Sequence, residues 1–213
     1  MIIINTIFEW RKIWCHLKKN QTISLKKESS ALNQLHFGLG WDPVKRQSST
    51  KKGFFSSLFS SQDDSIDLDA SCIMLDVNGK KIDEVWFSHL KSKCHSVIHS
   101  GDNLTGEGDG DDEVIYVHLP KLPFDVEYLV FTVNSFRGQT FNEVDNAFCR
   151  ILDQNNKELA HYKLSEQGSH TGIIIATLKR NSGSWDFTAQ GFPCTGRTIR
   201  EMYPQIVNKV IGR

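Results

Sequence analysis

From Asn20 onward, short runs rich in β-branched and aromatic residues recur along the chain, separated by turn-forming residues. They predict strands over Gln34–Leu39, Asp67–Leu75, Glu84–Phe87, Ser96–His99, Glu113–Leu119, Val126–Asn134, Ala147–Asp153, Glu158–Leu164, Gly172–Leu178 and Trp185–Ala189. Val126–Val133 is almost continuously apolar or β-branched, the pattern of a central strand buried on both faces. Asn78-Gly79, Asp153–Asn156 and Asn181-Ser182-Gly183 supply turns between successive runs. Short strands at this spacing predict a mainly β fold, a two-sheet β-sandwich rather than an α/β sheet. Two helical features interrupt it. Phe141–Val144 predicts a short helical turn. Ile199, Met202, Tyr203, Ile206, Val207 and Val210 share one helical face, predicting a C-terminal helix that covers a sheet face and is kinked or restarted at Pro204.

The same pattern sets the organisation. Trp10, Ile13, Trp14 and Leu17 fall at helical spacing, but residues 1–18 differ in pattern from the rest of the chain and read as an N-terminal extension to a domain over 19–213. Residues 43–66 read as a long flexible loop, basic at Lys45–Lys52 and apolar at Phe54, Phe55, Leu58 and Phe59. At 213 residues with 39% apolar and 23% charged positions, the composition is that of a globular protein with one sizeable core. No apolar run approaches the roughly 18 residues that span a bilayer, and the start lacks a basic leader, so a cytoplasmic protein is expected. Cys15, Cys72, Cys94, Cys149 and Cys194 are odd in number and scattered, as buried free thiols are.

Net charge is zero, yet unevenly laid out. Residues 1–60 carry ten Lys and Arg against three acids, whereas residues 61–115 carry thirteen acids against four Lys. The acids concentrate in Gly101–Glu113, where thirteen residues hold six carboxylates and four glycines. So many like charges repel one another unless a cation offsets them. Carboxylates, the Asn103 amide oxygen, the Thr105 hydroxyl and glycine carbonyls are hard donors, and calcium takes roughly six to eight oxygens in a flexible shell. Magnesium, which demands near-octahedral geometry, fits less well, and the segment has no Cys or His for zinc. The spacing is not that of an EF-hand: with Asp102 first and Glu113 twelfth, positions three, five and six are Leu104, Gly106 and Glu107. Asp67 and Asp69 stand two apart on a predicted strand, so both carboxylates face one side and can complete a site begun by the loop.

Gly38-Leu39-Gly40-Trp41-Asp42, Asp67-Leu68-Asp69-Ala70-Ser71, His99–Gly106 with Asp111-Asp112-Glu113, Phe131–Asn134 and Asn146-Ala147-Phe148 occur here in order. That set resembles the tellurium-resistance TerD family, most closely its TerZ members, from about Lys19 to Gly212. The resemblance implies a calcium-binding β-sandwich of bacteria linked to resistance to tellurite and other stresses. Its metal-binding motif corresponds to Asp67, Asp69, Asp102, Asn103, Thr105, Gly106, Asp109, Asp111, Asp112 and Glu113.

Other chemistry is less well supported. His89, Cys94, His95 and His99 are the densest group of soft ligands, but they lie where a hairpin with exposed histidines is predicted rather than a zinc site. Ser165, Ser169 and His170 are close in sequence without a nucleophile elbow. The chain is therefore expected not to be an enzyme. It reads as a stress-response protein whose calcium-bound loop docks to other proteins of the tellurium-resistance system, at the inner membrane surface, with no nucleic-acid partner. The alternative is a metal-dependent enzyme or a binder of a small anionic ligand bridged by calcium.

Overall fold

A computed structural model describes residues 17–25, 32–43, 67–103, 110–164 and 168–212. The β-rich patterning resolves into two antiparallel sheets. The strands are β1 (Thr22–Ser24), β2 (Gln34–Pro43), β3 (Leu68–Leu75), β4 (Lys81–Val85), β5 (Val97–His99), β6 (Glu113–His118), β7 (Tyr128–Ser135), β8 (Val144–Asp153), β9 (Glu158–Lys163), β10 (Gly172–Asn181) and β11 (Ser184–Cys194). One sheet runs β1-β11-β10-β7-β3-β4 and the other β5-β6-β2-β8-β9.

Alternation along each strand sends one set of side chains into the space between the sheets. Leu35, Phe37 and Leu39 of β2 meet Ala70, Cys72 and Met74 of β3 and Leu129, Phe131 and Val133 of β7 there. Phe37 and Phe131 stack across the gap at 4.4 Å. The opposite face of the six-stranded sheet is also apolar. Ile73, Leu75, Val130, Ile174 and Cys194 pack under Ile199, Met202 and Ile206 of helix α1 (Ile199–Ile211). Strands β3 and β7 are consequently buried on both faces, as the continuous apolar run at 126–133 requires.

Helix α1 begins where the Thr198 hydroxyl accepts the Glu201 N–H and ends on Gly212 in the left-handed region. Pro204 lies inside it, and the helix continues through that residue rather than restarting. Tyr203 Oη donates to Gly79 O at 2.9 Å, and a Cβ on Gly79 would lie 2.8 Å from Ile211, so this turn glycine lets the helix seat against the β3–β4 hairpin.

The differences from the sequence reading are local. The strand expected at Glu84–Phe87 is Lys81–Val85, with Trp86 already in a tight turn bridging to His89. Strand β1 has no apolar alternation to betray it; it is three residues held as an edge by Thr22 against Thr188. The helical turn expected over Phe141–Val144 is a single 3-10 turn, Phe141–Glu143, closed by a Thr140–Glu143 capping box. Leu17, on the N-terminal side of residue 18, is buried in the core and its N–H donates to His161 O at 3.0 Å. The helical spacing at Trp10–Trp14 and the loop at 44–66 lie outside the described residues. Of the cysteines, Cys72, Cys149 and Cys194 are buried free thiols and Cys94 is half-buried. Among the described residues no helix is long and apolar enough to cross a membrane.

Candidate metal centre

The acidic residues meet at the rim where the two sheets face each other. Strand β3 enters the six-stranded sheet with Leu68 opposite Ser135 and Asp69 opposite Asn134. Leu68 is buried in the core between the sheets, and Asp67 and Asp69, on either side of it, gather with Asp102 from the segment after β5. Each of the three offers a carboxylate oxygen within 4.8 Å of the others. Asp67 and Asp69 are buried; Asp102 is exposed.

Their surroundings make the charge costly. Burial, together with Glu113, Asp67 and Asp102, pushes the Asp69 carboxyl up to about 8, against a Phe136 N–H that opposes the rise. Burial and the Asp102 charge also raise Asp67, with Arg137 pulling the other way. Asp67 Oδ1 and Asn134 Oδ1 are buried oxygens that accept no hydrogen bond among the described residues. Asn134 Nδ2 is already committed to Arg197 O at 2.7 Å and Asp69 Oδ2 at 3.3 Å. Buried acceptors of this kind beside three converging carboxylates are oxygen donors that a cation can use. The residues present therefore fit a metal ion, and the donor set is all oxygen.

Two further acids, Glu113 and Asp112, stand behind this trio as bracing. Glu113, fully buried at the start of β6, accepts Ala70 N–H at 2.6 Å and Asn103 N–H at 3.1 Å, tying the loop to β3. Asp112 accepts Trp41 N–H at 2.9 Å and Asn103 Nδ2 at 3.1 Å. Burial raises the Asp112 carboxyl even so. Asp111 turns onto the outer face of the five-stranded sheet, where Arg150 grips it through Nε at 2.8 Å and Nη2 at 3.1 Å. A Cβ on Gly38 would fall on the Asp111 carboxyl, and one on Gly40 would lie 2.6 Å from Gly110 O. The two glycines of β2 thus open the trough in which the end of the loop lies.

Asp67, Asp69 and Asp102 are therefore brought together, and Asn103, Asp112 and Glu113 adjoin them. Asp111 is directed elsewhere. Thr105, Gly106 and Asp109 lie outside the described residues.

His99 departs from the exposed hairpin histidine expected from sequence. It is buried, its Nδ1 accepts Gly101 N–H at 3.1 Å, and its Nε2 lies 3.0 Å from Ala70 O and 3.4 Å from Glu113 Oε2. With Nδ1 taken as acceptor, Nε2 carries the hydrogen and donates. Cys94 instead bonds Ser96 and Ser92, and His89 faces Asp83. Among the described residues, Asp67, Asp69 and Asp102 are the His, Cys, Asp or Glu side chains gathered closely enough to share an ion.

Asn134, His99, Arg137 and Arg150 were not singled out by sequence as parts of the site. The glycine pair in β2 was visible as a small-residue alternation on one strand face, a signal for close approach of another backbone. The partners of Asn134 and the arginines are set by strand register and carry no local mark.

Comparison with known proteins bears on this site. The model of the TerD domain family matches residues 14–203. The chain is 66% identical over 195 residues to the tellurium resistance protein TerZ of Serratia marcescens, covering 92% of this chain and 98% of that one. It is 44% identical to the stress response protein SCP2 of Bacillus subtilis, covering 82% and 90%. The crystal structure of a Streptomyces coelicolor homologue of telluride resistance protein (TerD) superposes with a TM-score of 0.65 at 18% identity, over 83% of this chain and 98% of that one. These relatives are named for resistance and stress response, and none of the three for a catalysed reaction.

Proposed function

This chain belongs to the TerD domain family, generally non-catalytic stress-response proteins, and from that premise we propose that it binds calcium and acts in tellurite resistance by calcium-stabilised docking. The observation that carries the reading is the convergence of Asp67, Asp69 and Asp102 on one point, two of them buried and together bearing more negative charge than the fold comfortably holds. Calcium is favoured over magnesium because the donors come from separate elements, and a flexible shell of roughly six to eight oxygens accepts such a set. On this reading Asn103, Asp112 and Glu113 shape the loop, and Thr105, Gly106 and Asp109 supply further oxygens from the glycine-rich segment. Asp111 acts through Arg150 rather than as a ligand.

Calcium bound here lowers the free energy of the folded loop and fixes the surface it presents. The partner is another protein of the same resistance system, met in the cytoplasm or at the inner face of the membrane. The name of the Serratia marcescens relative, a tellurium resistance protein, supports the link to resistance.

The test is a calorimetric titration of calcium into chelator-stripped full-length protein, with magnesium in parallel and Asp102→Asn as control. Saturable binding that prefers calcium and weakens in the variant is expected. No heat and no change in melting temperature up to millimolar calcium would overturn the metal assignment. Growth on tellurite of a host lacking the chain, complemented by wild type or Asp102→Asn, tests the link to resistance.

A further inference from the structure

A positive charge is already built into the acidic pocket. Arg137 Nε lies 3.3 Å from Asp67 Oδ2, and the side chain of Arg137 is 36% exposed where that of Asp67 is 7%. Arg137 belongs to the turn that follows β7, where Gly138 N–H donates to Ser135 O and Ser135 Oγ donates to Gln139 Oε1. The same turn touches the trio a second time, through the Phe136 N–H that donates to Asp69. The Phe136 ring meets Phe87 edge-on at 5.2 Å, and Phe87 meets Trp86 at 4.8 Å. One short turn therefore holds two of the three carboxylates at one end and a row of three aromatic rings at the other.

A divalent cation on Asp67 sits about 2.3–2.6 Å from its oxygen, which brings it within roughly 6 Å of the Arg137 charge on the same carboxylate. The two positive groups compete for one anion. The ion carries twice the charge and recruits Asp69 and Asp102 as well, whereas the Arg137 side chain is partly exposed. We propose that Arg137 is the resident counter-ion of the cation site: it neutralises Asp67 in the metal-free protein, yields that carboxylate when a divalent cation binds, and so transmits occupancy to the Phe136–Gln139 turn and the aromatic row behind it. The inference rests on the metal reading above and adds how a bound ion becomes visible at the protein surface, where Phe136 is half-exposed.

The experiment compares wild type with Arg137→Gln and Arg197→Gln by calcium calorimetry, and follows Trp86 as the difference in emission between each protein and its Trp86→Phe counterpart. Arg197 is a matched control. Its guanidinium lies over the Phe136 ring and its Nε donates to Phe136 O, so it borders the same turn. Arg137→Gln is expected to bind calcium about tenfold more tightly, and Arg197→Gln, which loses the same charge, less than about threefold. Calcium is expected to change the Trp86 emission of wild type and Arg197→Gln, but not of Arg137→Gln. Equal affinity gains in the two variants, or a Trp86 response that survives in Arg137→Gln, would overturn the role of Arg137. Calcium binding by wild type with unchanged affinity in Arg137→Gln would overturn it too, while leaving the metal site standing. Absence of binding in all three proteins would instead remove the metal reading, and this inference with it.

Discussion

Replacing Asp69 by Asn should stabilise the metal-free protein while abolishing its response to metal. Asn keeps the shape of the side chain, and its carbonyl can still accept the Phe136 N–H that Asp69 accepts. What it removes is a charge. Carboxylate oxygens within 4.8 Å of one another repel by about 3 kcal/mol per fully charged pair at an effective dielectric of about 20, before relaxation and counter-charge are allowed for. The native protein relieves this by keeping a proton on Asp69 up to about pH 8, against an ordinary value of 3.8. The folded state therefore binds that proton more tightly than the unfolded chain does. The contribution of Asp69 to stability is full below about pH 4 and is lost as pH rises through about 8. At pH 9, where the penalty is complete, metal-free Asp69→Asn should exceed wild type by on the order of 1–3 kcal/mol, or roughly 3–10 °C in Tm for a domain of this size. Below about pH 4, where Asp69 carries its proton in both the folded and the unfolded chain, the two should melt together. Calcium at a hundred times its Kd should add about 2.7 kcal/mol to wild type and little to the variant. Differential scanning calorimetry in chelator and in calcium, at about pH 4, 7 and 9, gives all the comparisons. A metal-free variant less stable than wild type at pH 9, or one that keeps the full calcium shift, would refute the reasoning.

Two further outcomes follow from the same geometry. Because Asp69 must lose its proton to become a ligand, calcium binding at pH 7 should release close to one proton, measured by calorimetry in buffers of different ionisation enthalpy, and affinity should rise with pH until about 8. Gly38→Ala, whose new methyl would occupy the place of the Asp111 carboxyl, should break the Arg150 pair and lower the metal-free Tm by roughly 3–10 °C, with weaker calcium binding by titration.

Much of the architecture could be read from periodicity because both sheets have an apolar face that selects alternating residues, and because Ile199, Met202 and Ile206 repeat at helical spacing over the second apolar surface of β3, β7 and β10. What escaped had no such pattern. Strand β1 is held by backbone pairing and a Thr22–Thr188 hydroxyl contact at an edge, and the start of β4 was displaced because Trp86 and Phe87 look like strand residues but pack in a turn. At the site, charge density marked the loop, and the two-residue spacing put Asp67 and Asp69 on one side. Which acids face the centre was not legible. Asp111 and Asp112 are neighbours in sequence, yet one is drawn out by Arg150 and the other is held by the Trp41 N–H. Only the register of β2 against β6 and β8, which sets Gly38 opposite both Val114 and Arg150, decides between those fates.

The two backbone groups of Ala70 have a consequence beyond the metal. Strand β4 pairs with β3 only from Cys72 to Leu75, so among the described residues no strand neighbours the outer edge of β3 at Ala70. Its N–H and C=O are met instead by the Glu113 carboxylate and the His99 ring, two side chains from the opposite sheet. An open strand edge is a template on which a second chain can add. Here the edge is sealed by Glu113 and His99, side chains of the two strands that flank the acidic segment, so the packing of β5 and β6 against β3 also decides whether β3 is closed to strand addition.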